Sequence, residues 1–239
     1  MNQPSLTLVV HGESGAGKSW LADTAPGPRL ILDVEGGVDW TPSTKVEWDP
    51  RGPVPELGAD DTAVVRVPDI EVIDRTLQWL ASGQHPFRSI VIDSLSEAQK
   101  RLLDKIAGAS QPTQQQFGSL LREGDRLVRF LRDLKMHQTK PAQVVVFVCG
   151  SKERGTEGHA VVRPLLTGQL ADQLPYAVDV VMYLAAGLDE EGRLYRKGLF
   201  QPLSGFAAKD RTGKLGVTMV EPTIPKMLDA IGGSQEGSE

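Results

Sequence analysis

The chain has 239 residues, of which 40% are hydrophobic and 24% are charged, values typical of a globular protein that can bury a full core. Its formal net charge of -5 excludes a generally basic surface for nucleic acid, so any such contact requires a local basic patch. The single cysteine, Cys149, excludes an internal disulfide and is expected to be a buried core thiol in a reducing cytoplasm.

Short β-branched runs predict buried strands in the first part of the chain, and helical patterns lie between them. The predicted strands cover residues 5–11, 29–34, 62–67, 88–93 and 143–149. One predicted helix starts at residues 20–24, and others cover residues 69–82, 94–107 and 117–136. Because strands and helices alternate, we expect an α/β fold with a mostly parallel central sheet flanked by helices.

The segments outside this alternation are predicted to form loops, additional strands and a C-terminal tail. Residues 36–61 predict a long surface loop, and residues 108–116 predict a break between two helices. Further strands, some antiparallel, are predicted at residues 178–185, 193–200 and 215–220. We expect one domain over residues 1–231 and a disordered tail over residues 232–239. We expect neither a membrane span, since no apolar run is long enough, nor a signal peptide, since no basic region precedes the first apolar run.

The first predicted strand runs directly into a phosphate-binding motif. Gly12 is followed after four residues by Gly17, Lys18 and Ser19, which is the P-loop spacing G-x-x-x-x-G-K-[ST]. The glycines let successive N–H groups turn towards a phosphate, Lys18 adds positive charge, and the Ser19 hydroxyl suits Mg²⁺. The residues expected to bind ATP are Gly12, Glu13, Ser14, Gly15, Ala16, Gly17, Lys18 and Ser19. A glycine-rich turn without ligand is the alternative.

A second ligand for Mg²⁺ is expected where the strand at residues 88–93 ends. Asp93 closes this apolar run, at the edge of the sheet where ligands bind in open α/β folds. The alternative role for Asp93 is the N-cap of the next helix, although Ser94 is equally able to provide that cap. Glu97 lies one turn into the helix and is predicted to point away from the site.

The sequence around the second predicted strand resembles the RecA-like recombinases. Asp33-Val34-Glu35 matches their aspartate-x-glutamate arrangement, and Asp93-Ser94 matches the end of their Walker B strand. The resemblance implies that Glu35 orients the water that attacks ATP. It also implies that the strand at residues 143–149 lies between the P-loop strand and the Asp93 strand, with the Glu35 strand beyond them.

A second resemblance lies near the C-terminus. Lys209-x-Arg211, followed by Gly213, is similar to the lysine-x-arginine element of RadA-type and DnaB-type ATPases. In those rings the pair reaches the ATP site of the neighbouring subunit, so the resemblance implies catalytic roles for Lys209 and Arg211 and a homo-oligomeric ring or filament. A polar hairpin turn is the alternative interpretation.

Over roughly residues 5–230 these features resemble the small phage-encoded RecA-like P-loop ATPases of the Sak-type single-strand annealing group. The resemblance implies an Mg²⁺-dependent ATPase coupled to single-stranded DNA binding or annealing in phage recombination or replication, located in the host cytoplasm. The sequence departs from the RecA pattern at Cys149-Gly150-Ser151-Lys152, where RecA proteins carry a glutamine that senses the γ-phosphate.

Residues 151–168 correspond in position to a DNA-binding loop of RecA. The cationic residues of this loop are Lys152, Arg154, His159 and Arg163. Since flexible cationic loops can follow a phosphate backbone, Lys152, Arg154 and Arg163 are predicted to contact single-stranded DNA. A solvated surface loop is the alternative, because two glutamates in the loop oppose its charge.

Two other classes of function stay open from the sequence. One is a small-molecule P-loop kinase, which normally carries an arginine-rich lid that is not evident here. The other is a non-catalytic interaction module that uses nucleotide as a switch, which would bind ATP tightly without turnover. The histidines His11, His85 and His137 are far apart and lack the spacing of metal ligands.

Overall fold

The computed structural model describes residues 4–155, 160–203 and 205–233. The strands are β1 (Leu6–His11), β2 (Arg29–Asp33), β3 (Lys45–Glu47), β4 (Thr62–Arg66), β5 (Ser89–Asp93), β6 (Val144–Cys149), β7 (Ser151–Arg154), β8 (Val161–Pro164), β9 (Val180–Leu188), β10 (Leu194–Leu199), β11 (Lys209–Asp210) and β12 (Thr218–Val220). The helices are α1 (Lys18–Asp23), α2 (Ile70–Ala81), α3 (Leu95–Ala107), α4 (Gln114–Asp133), α5 (Leu170–Ala177) and α6 (Ile224–Gly232).

Within the described residues, ten strands form one sheet in the order β12-β10-β9-β1-β6-β5-β2-β4-β3, with β11 also paired to β9. The strands from β9 to β3 pair in parallel, whereas β10, β11 and β12 add antiparallel pairs. The predicted α/β fold with a mostly parallel sheet and antiparallel C-terminal strands is confirmed. The order around the site also agrees, since β6 lies between β1 and β5 and β2 lies beyond β5.

The central strands are buried on both faces, which is why their sequences are continuous apolar runs. Alternate residues of each strand enter two separate cores. On one face Val9 and Ile92 pack with residues of α2 to α5. On the other face Leu8 and Val146 pack with residues of α1 and α6. Because these strands are parallel, the carboxyl ends of β1, β6, β5 and β2 lie in that order along one edge of the sheet.

Several elements differ from the sequence-based expectation. The expected loop at residues 36–61 contains β3, which extends the sheet at its edge. Helix α4 begins earlier than predicted, because Thr113 and Gln116 form a capping box. The loop expected at residues 151–168 contains the antiparallel hairpin β7–β8. Helices α5 and α6 were not predicted.

The expected tail begins with Gly232, which ends α6, and Gly233, whereas residues 234–239 lie outside the described residues. No helix in the described part of the chain is long and apolar enough to cross a membrane.

Candidate functional site

The P-loop connects β1 to α1 through two glycines in the left-handed region. Gly15 has φ 79° and Gly17 has φ 92°, conformations that favour residues without a Cβ atom. Gly12 is constrained by packing instead, because a Cβ atom there would run into the carbonyl group of Leu184 on β9. The loop is therefore fixed between the sheet and the start of α1, with its N–H groups at the helix N-terminus.

Lys18 is the first residue of α1, and its side chain returns over the loop. Its Nζ donates hydrogen bonds to the carbonyl oxygens of Gly12, at 3.0 Å, and Glu13, at 2.7 Å. Partial burial lowers the pKa of Lys18, while the carboxylates of Asp93 and Glu35 act in the opposite direction. The Lys18 ammonium group is thus close enough to interact electrostatically with both predicted acidic site residues, Asp93 and Glu35.

Asp93 ends β5 beside the P-loop. Burial raises the pKa of its carboxyl group to about 6, the Ser19 hydroxyl group opposes this shift, and the charges of Glu35 and Asp33 add to it. Its Oδ2 atom is buried and has no hydrogen-bond partner among the described residues. A buried carboxylate oxygen without a partner, next to a serine hydroxyl, has the donor chemistry that Mg²⁺ requires.

Glu35 follows β2 and lines the same cleft. The Ser94 hydroxyl group donates a hydrogen bond to Glu35 Oε1 and also accepts one from the backbone N–H of Glu97, at 3.1 Å. Ser94, and not Asp93, is therefore the N-cap of α3. Glu97 itself forms an ion pair with Lys100 at 3.0 Å on the helix surface, as the sequence predicted for a side chain that points away.

Asp33 shapes the turn that carries Glu35 and does not line the cleft itself. Its Oδ1 accepts the N–H of Gly36 at 2.8 Å, and its other oxygen pairs with Arg66 at the end of β4. The same guanidinium group also pairs with Asp39, further along the loop. In the aspartate-x-glutamate sequence, the aspartate is thus the structural residue, and Glu35 is free to face the cleft.

These residues meet in a cleft of about 540 Å³ at the carboxyl edge of the sheet. It brings together Lys18, Ser19, Glu35, Asp93, Ser151 and Arg196. Helix α1 supplies Lys18 and Ser19, and four different strands or their ends supply the other four residues, so the cleft depends on the sheet order. Sequence reasoning missed Arg196, because a single arginine in a strand carries no motif.

The comparison with protein families agrees with this geometry. The profile of a family described as an AAA domain matches residues 5–212. The chain belongs to this AAA domain family. Membership supports a nucleotide-binding P-loop NTPase, as the residues from Gly12 to Ser19 predict.

Among solved structures, the crystal structure of the flagellar accessory protein FlaH from Methanocaldococcus jannaschii is similar at 11% sequence identity and a TM-score of 0.40. The match covers 81% of this chain and 76% of that chain. No curated protein sequence matches the chain.

In this AAA domain protein, β6 ends at Cys149, the first residue of the segment that departs from the RecA pattern. Burial raises the pKa of the Cys149 thiol to about 12, so the residue is a core thiol as expected and not a nucleophile. Ser151, two residues later, lines the cleft and contacts His11 Nδ1 at 2.9 Å. Lys152 turns away and donates to the carbonyl group of Leu166.

His11 is buried at the end of β1 and connects three segments. Burial lowers its pKa to about 4, so the ring is neutral at physiological pH. Its Nε2–H donates to the carbonyl oxygen of Ala207 at 2.7 Å, which leaves Nδ1 to accept from the Ser151 hydroxyl group. No group of three or more possible metal ligands occurs among the described residues, and His159 lies outside them.

Lys209 and Arg211 lie away from the cleft of their own chain. Lys209 Nζ donates to the carbonyl oxygens of Pro175, at 2.6 Å, and Val178, at 2.8 Å, around the end of α5. Arg211 forms an ion pair with Asp179 at 3.2 Å, but its side chain is 53% exposed. Within one chain the two cations satisfy carbonyl groups near a helix C-terminus.

The predicted DNA-binding cations lie on the hairpin β7–β8. Arg163 pairs with Asp172 of α5 at 2.9 Å, and Arg154 pairs with the same carboxylate at 3.6 Å. Together with the contact of Lys152 to Leu166, these bonds give each predicted cation a partner inside the chain. The side chain of Arg154 is 56% exposed, so replacing Asp172 by a phosphate group as its partner would require little rearrangement.

Proposed function

We propose that the chain is an Mg²⁺-dependent ATP hydrolase. The observation that carries this proposal is the convergence of Lys18, Ser19, Asp93 and Glu35 on one cleft at the end of the parallel strands. A P-loop alone binds phosphate, whereas this cleft adds a candidate metal ligand and a carboxylate for water. AAA domain membership, which covers most of the chain, agrees with nucleotide turnover.

The metal would be held by the Ser19 hydroxyl group and the Asp93 carboxylate, whose partnerless Oδ2 fits this role. When bound, Mg²⁺ would neutralise negative charge on the β- and γ-phosphate oxygens. Lys18 would leave its loop carbonyl partners and donate to the same phosphate groups. The cost of that exchange is small, because one set of charge-assisted hydrogen bonds replaces a weaker one.

Glu35 would hold and orient the attacking water. Its Oε1 is engaged by Ser94, which leaves Oε2 as the oxygen that accepts a hydrogen bond from water. Phosphoryl transfer demands positioning more than a strong base, so a well-placed carboxylate is sufficient for this role. The hydrogen bond from Ser94 would keep the Glu35 carboxylate at one position in the cleft.

We further propose that ATP turnover is coupled to single-stranded DNA through the hairpin β7–β8. Support comes from Ser151, which lines the cleft and is also the first residue of β7. A nucleotide that moves Ser151 therefore acts on the strand that carries Lys152 and Arg154. The exposed ring of Tyr176, 82% accessible on the neighbouring α5, offers a surface for base stacking that the loop sequence lacks.

Arg211 would complete the site of a neighbouring copy in a ring or filament. Its exposed guanidinium group and its distance from its own cleft support a role across an interface. Lys209, whose ammonium group is bonded to two carbonyl oxygens, would hold the strand that presents Arg211.

The experiment that tests this function is phosphate release from ATP with Mg²⁺, measured with and without single-stranded DNA and with no other phosphate acceptor. Turnover without an acceptor that DNA accelerates supports the proposal. Turnover that appears only when a small-molecule acceptor is added indicates a kinase. Tight ATP binding with no turnover under any condition indicates a nucleotide switch.

A further inference from the structure

Arg196 reaches the P-loop from β10, the antiparallel strand beyond β9. A Cβ atom on Gly17 would overlap the Nε and Cδ atoms of Arg196, so the arginine lies directly against the residue that precedes Lys18. It also lines the cleft that contains Lys18, Asp93 and Glu35. The strand order places this cation across the P-loop from the carboxylates, which lie on the β2 and β5 side.

Among the described residues, part of the hydrogen-bonding capacity of this guanidinium group stays unused. Its Nε atom is buried and lacks a hydrogen-bond partner among the described residues. The nearest carboxylate oxygen, on Glu221, is 4.0 Å from the terminal nitrogen, at the limit of an ion pair. The group is held mainly by Trp20, since its central carbon lies 5.7 Å from the centre of that ring.

A buried donor without a partner at the wall of an anion site points to a ligand that supplies the acceptor. The guanidinium fork matches phosphate oxygens, and arginine binds them with paired, charge-assisted hydrogen bonds. We propose that Arg196 binds the phosphate groups of the nucleotide from the same chain, with Trp20 as the platform that orients it. This inference rests on the nucleotide binding proposed above and adds a second cation to Lys18.

The alternative is that Arg196 only packs β10 against α1. The two roles differ in what they require of the side chain. Packing against Trp20 needs the length and apolar stem, whereas phosphate binding needs the charge and the N–H donors. Arg196→Met keeps the stem and removes both donors and charge, so it separates the roles. Arg193→Ala is a matched control, because Arg193 precedes β10 and pairs with Asp189 and Glu191 away from the cleft.

The test is equilibrium binding of ATP, and separately of inorganic tripolyphosphate, to wild type, Arg196→Ala, Arg196→Met and Arg193→Ala. We expect both Arg196 variants to bind each ligand about 10-fold to 100-fold more weakly, the scale of a hydrogen bond to a charged group. Arg193→Ala should bind both as wild type does. Melting temperatures measured without ligand identify any variant that has lost stability. If Arg196→Ala is destabilised, the affinities of Arg196→Met, which keeps the apolar stem, are the ones that test the inference.

Wild-type affinity for ATP in Arg196→Met would overturn the inference while leaving the proposed function intact. If the Arg196 variants lost affinity for ATP but not for tripolyphosphate, the proposal that Arg196 binds the phosphate groups would be overturned. An equal loss in Arg193→Ala would mean a general charge effect and would overturn it as well. Failure of the wild type to bind ATP would instead contradict the proposed function on which the inference depends.

Discussion

The Ser94 hydroxyl group donates a hydrogen bond to the Glu35 carboxylate, and so joins the N-terminus of α3 to the loop after β2. The register of the sheet makes this contact possible, because Asp33 on β2 lies opposite Asp93 on β5. The residues that follow these two aspartates are therefore brought to the same edge. One serine caps a helix and braces the proposed water-orienting carboxylate.

Replacing Ser94 with alanine should lower ATP turnover about 10-fold or more without weakening ATP binding, because Glu35 loses its brace while the P-loop is unchanged. Loss of the N-cap should also cost about 1 kcal/mol of unfolding free energy. Thr113→Ala is the matched control, since it removes the N-cap of α4 far from the cleft. Steady-state kinetics should place the loss in kcat, and an unchanged kcat in Ser94→Ala would contradict the bracing role.

The buried histidines should make stability depend on pH in a predictable direction. The folded-state pKa of His11 is about 4 and that of His85 is also about 4, both lowered by burial from an ordinary value of 6.5. Between these values the unfolded chain binds more protons than the folded chain. The contribution of the two neutral histidines to the free energy of unfolding is therefore fully present above about pH 6.5 and is lost as the pH falls towards 4.

Each histidine contributes a slope of about 1.4 kcal/mol per pH unit at most in this range. His11→Gln keeps a donor for the Ala207 carbonyl group but removes one titrating group, so the slope should fall by about that amount. Urea unfolding at several pH values measures it. The two proteins should show parallel curves above about pH 6.5, and identical slopes below it would show that His11 is not a buried neutral group.

If the hairpin β7–β8 contacts single-stranded DNA, its cations should account for the salt dependence of DNA binding. Affinity for single-stranded DNA should fall with salt by a slope of about -0.7 per phosphate neutralised. Changing Lys152, Arg154 and Arg163 together to alanine should flatten that slope. The control is the triple alanine variant at Arg122, Arg126 and Arg129, which removes the same charge from the exposed surface of α4. Equal slopes in the two triple variants would place the DNA site elsewhere.

The role proposed for Arg211 across an interface is tested by mixing two inactive proteins. Arg211→Ala should bind ATP nearly normally and hydrolyse it poorly, whereas Lys18→Ala should lose nucleotide binding. In mixed assemblies some interfaces pair an intact P-loop with an intact Arg211, so activity should partly return. If subunits exchange freely and no activity returns, Arg211 serves only its own chain through Asp179 and the end of α5.

The sequence predicted those parts of the fold and the site whose signals are local. The P-loop spacing and the apolar runs of β1 and β5 lie within short segments, so Lys18 and Asp93 were identified directly. Glu35 came from a resemblance to RecA-like proteins, because nothing local distinguishes it from other loop glutamates. The bond between Ser94 and Glu35 joins residues 59 positions apart and depends on strand register, which the sequence does not display.

Arg196 was missed for the same reason, since its strand reaches the P-loop only after β9 has paired with β1 on one side and β10 on the other. Helix α5 was missed because Pro175 lies inside it and its eight residues are few for a periodic pattern. Helix α6 did carry local signals, a Thr223 N-cap and Pro225 in the first turn, which sequence reasoning overlooked.

The most direct test of the proposed chemistry is phosphate release from ATP and Mg²⁺ by wild type, Glu35→Gln and Lys18→Ala, with ATP affinity measured for each. The amide of Glu35→Gln keeps the reach to Ser94 but removes the charge that orients water. We expect this variant to bind ATP as wild type does and to turn it over about 10²-fold more slowly or worse, whereas Lys18→Ala should lose binding as well. A Glu35→Gln protein with wild-type kcat would contradict the role of Glu35 and the function built on it.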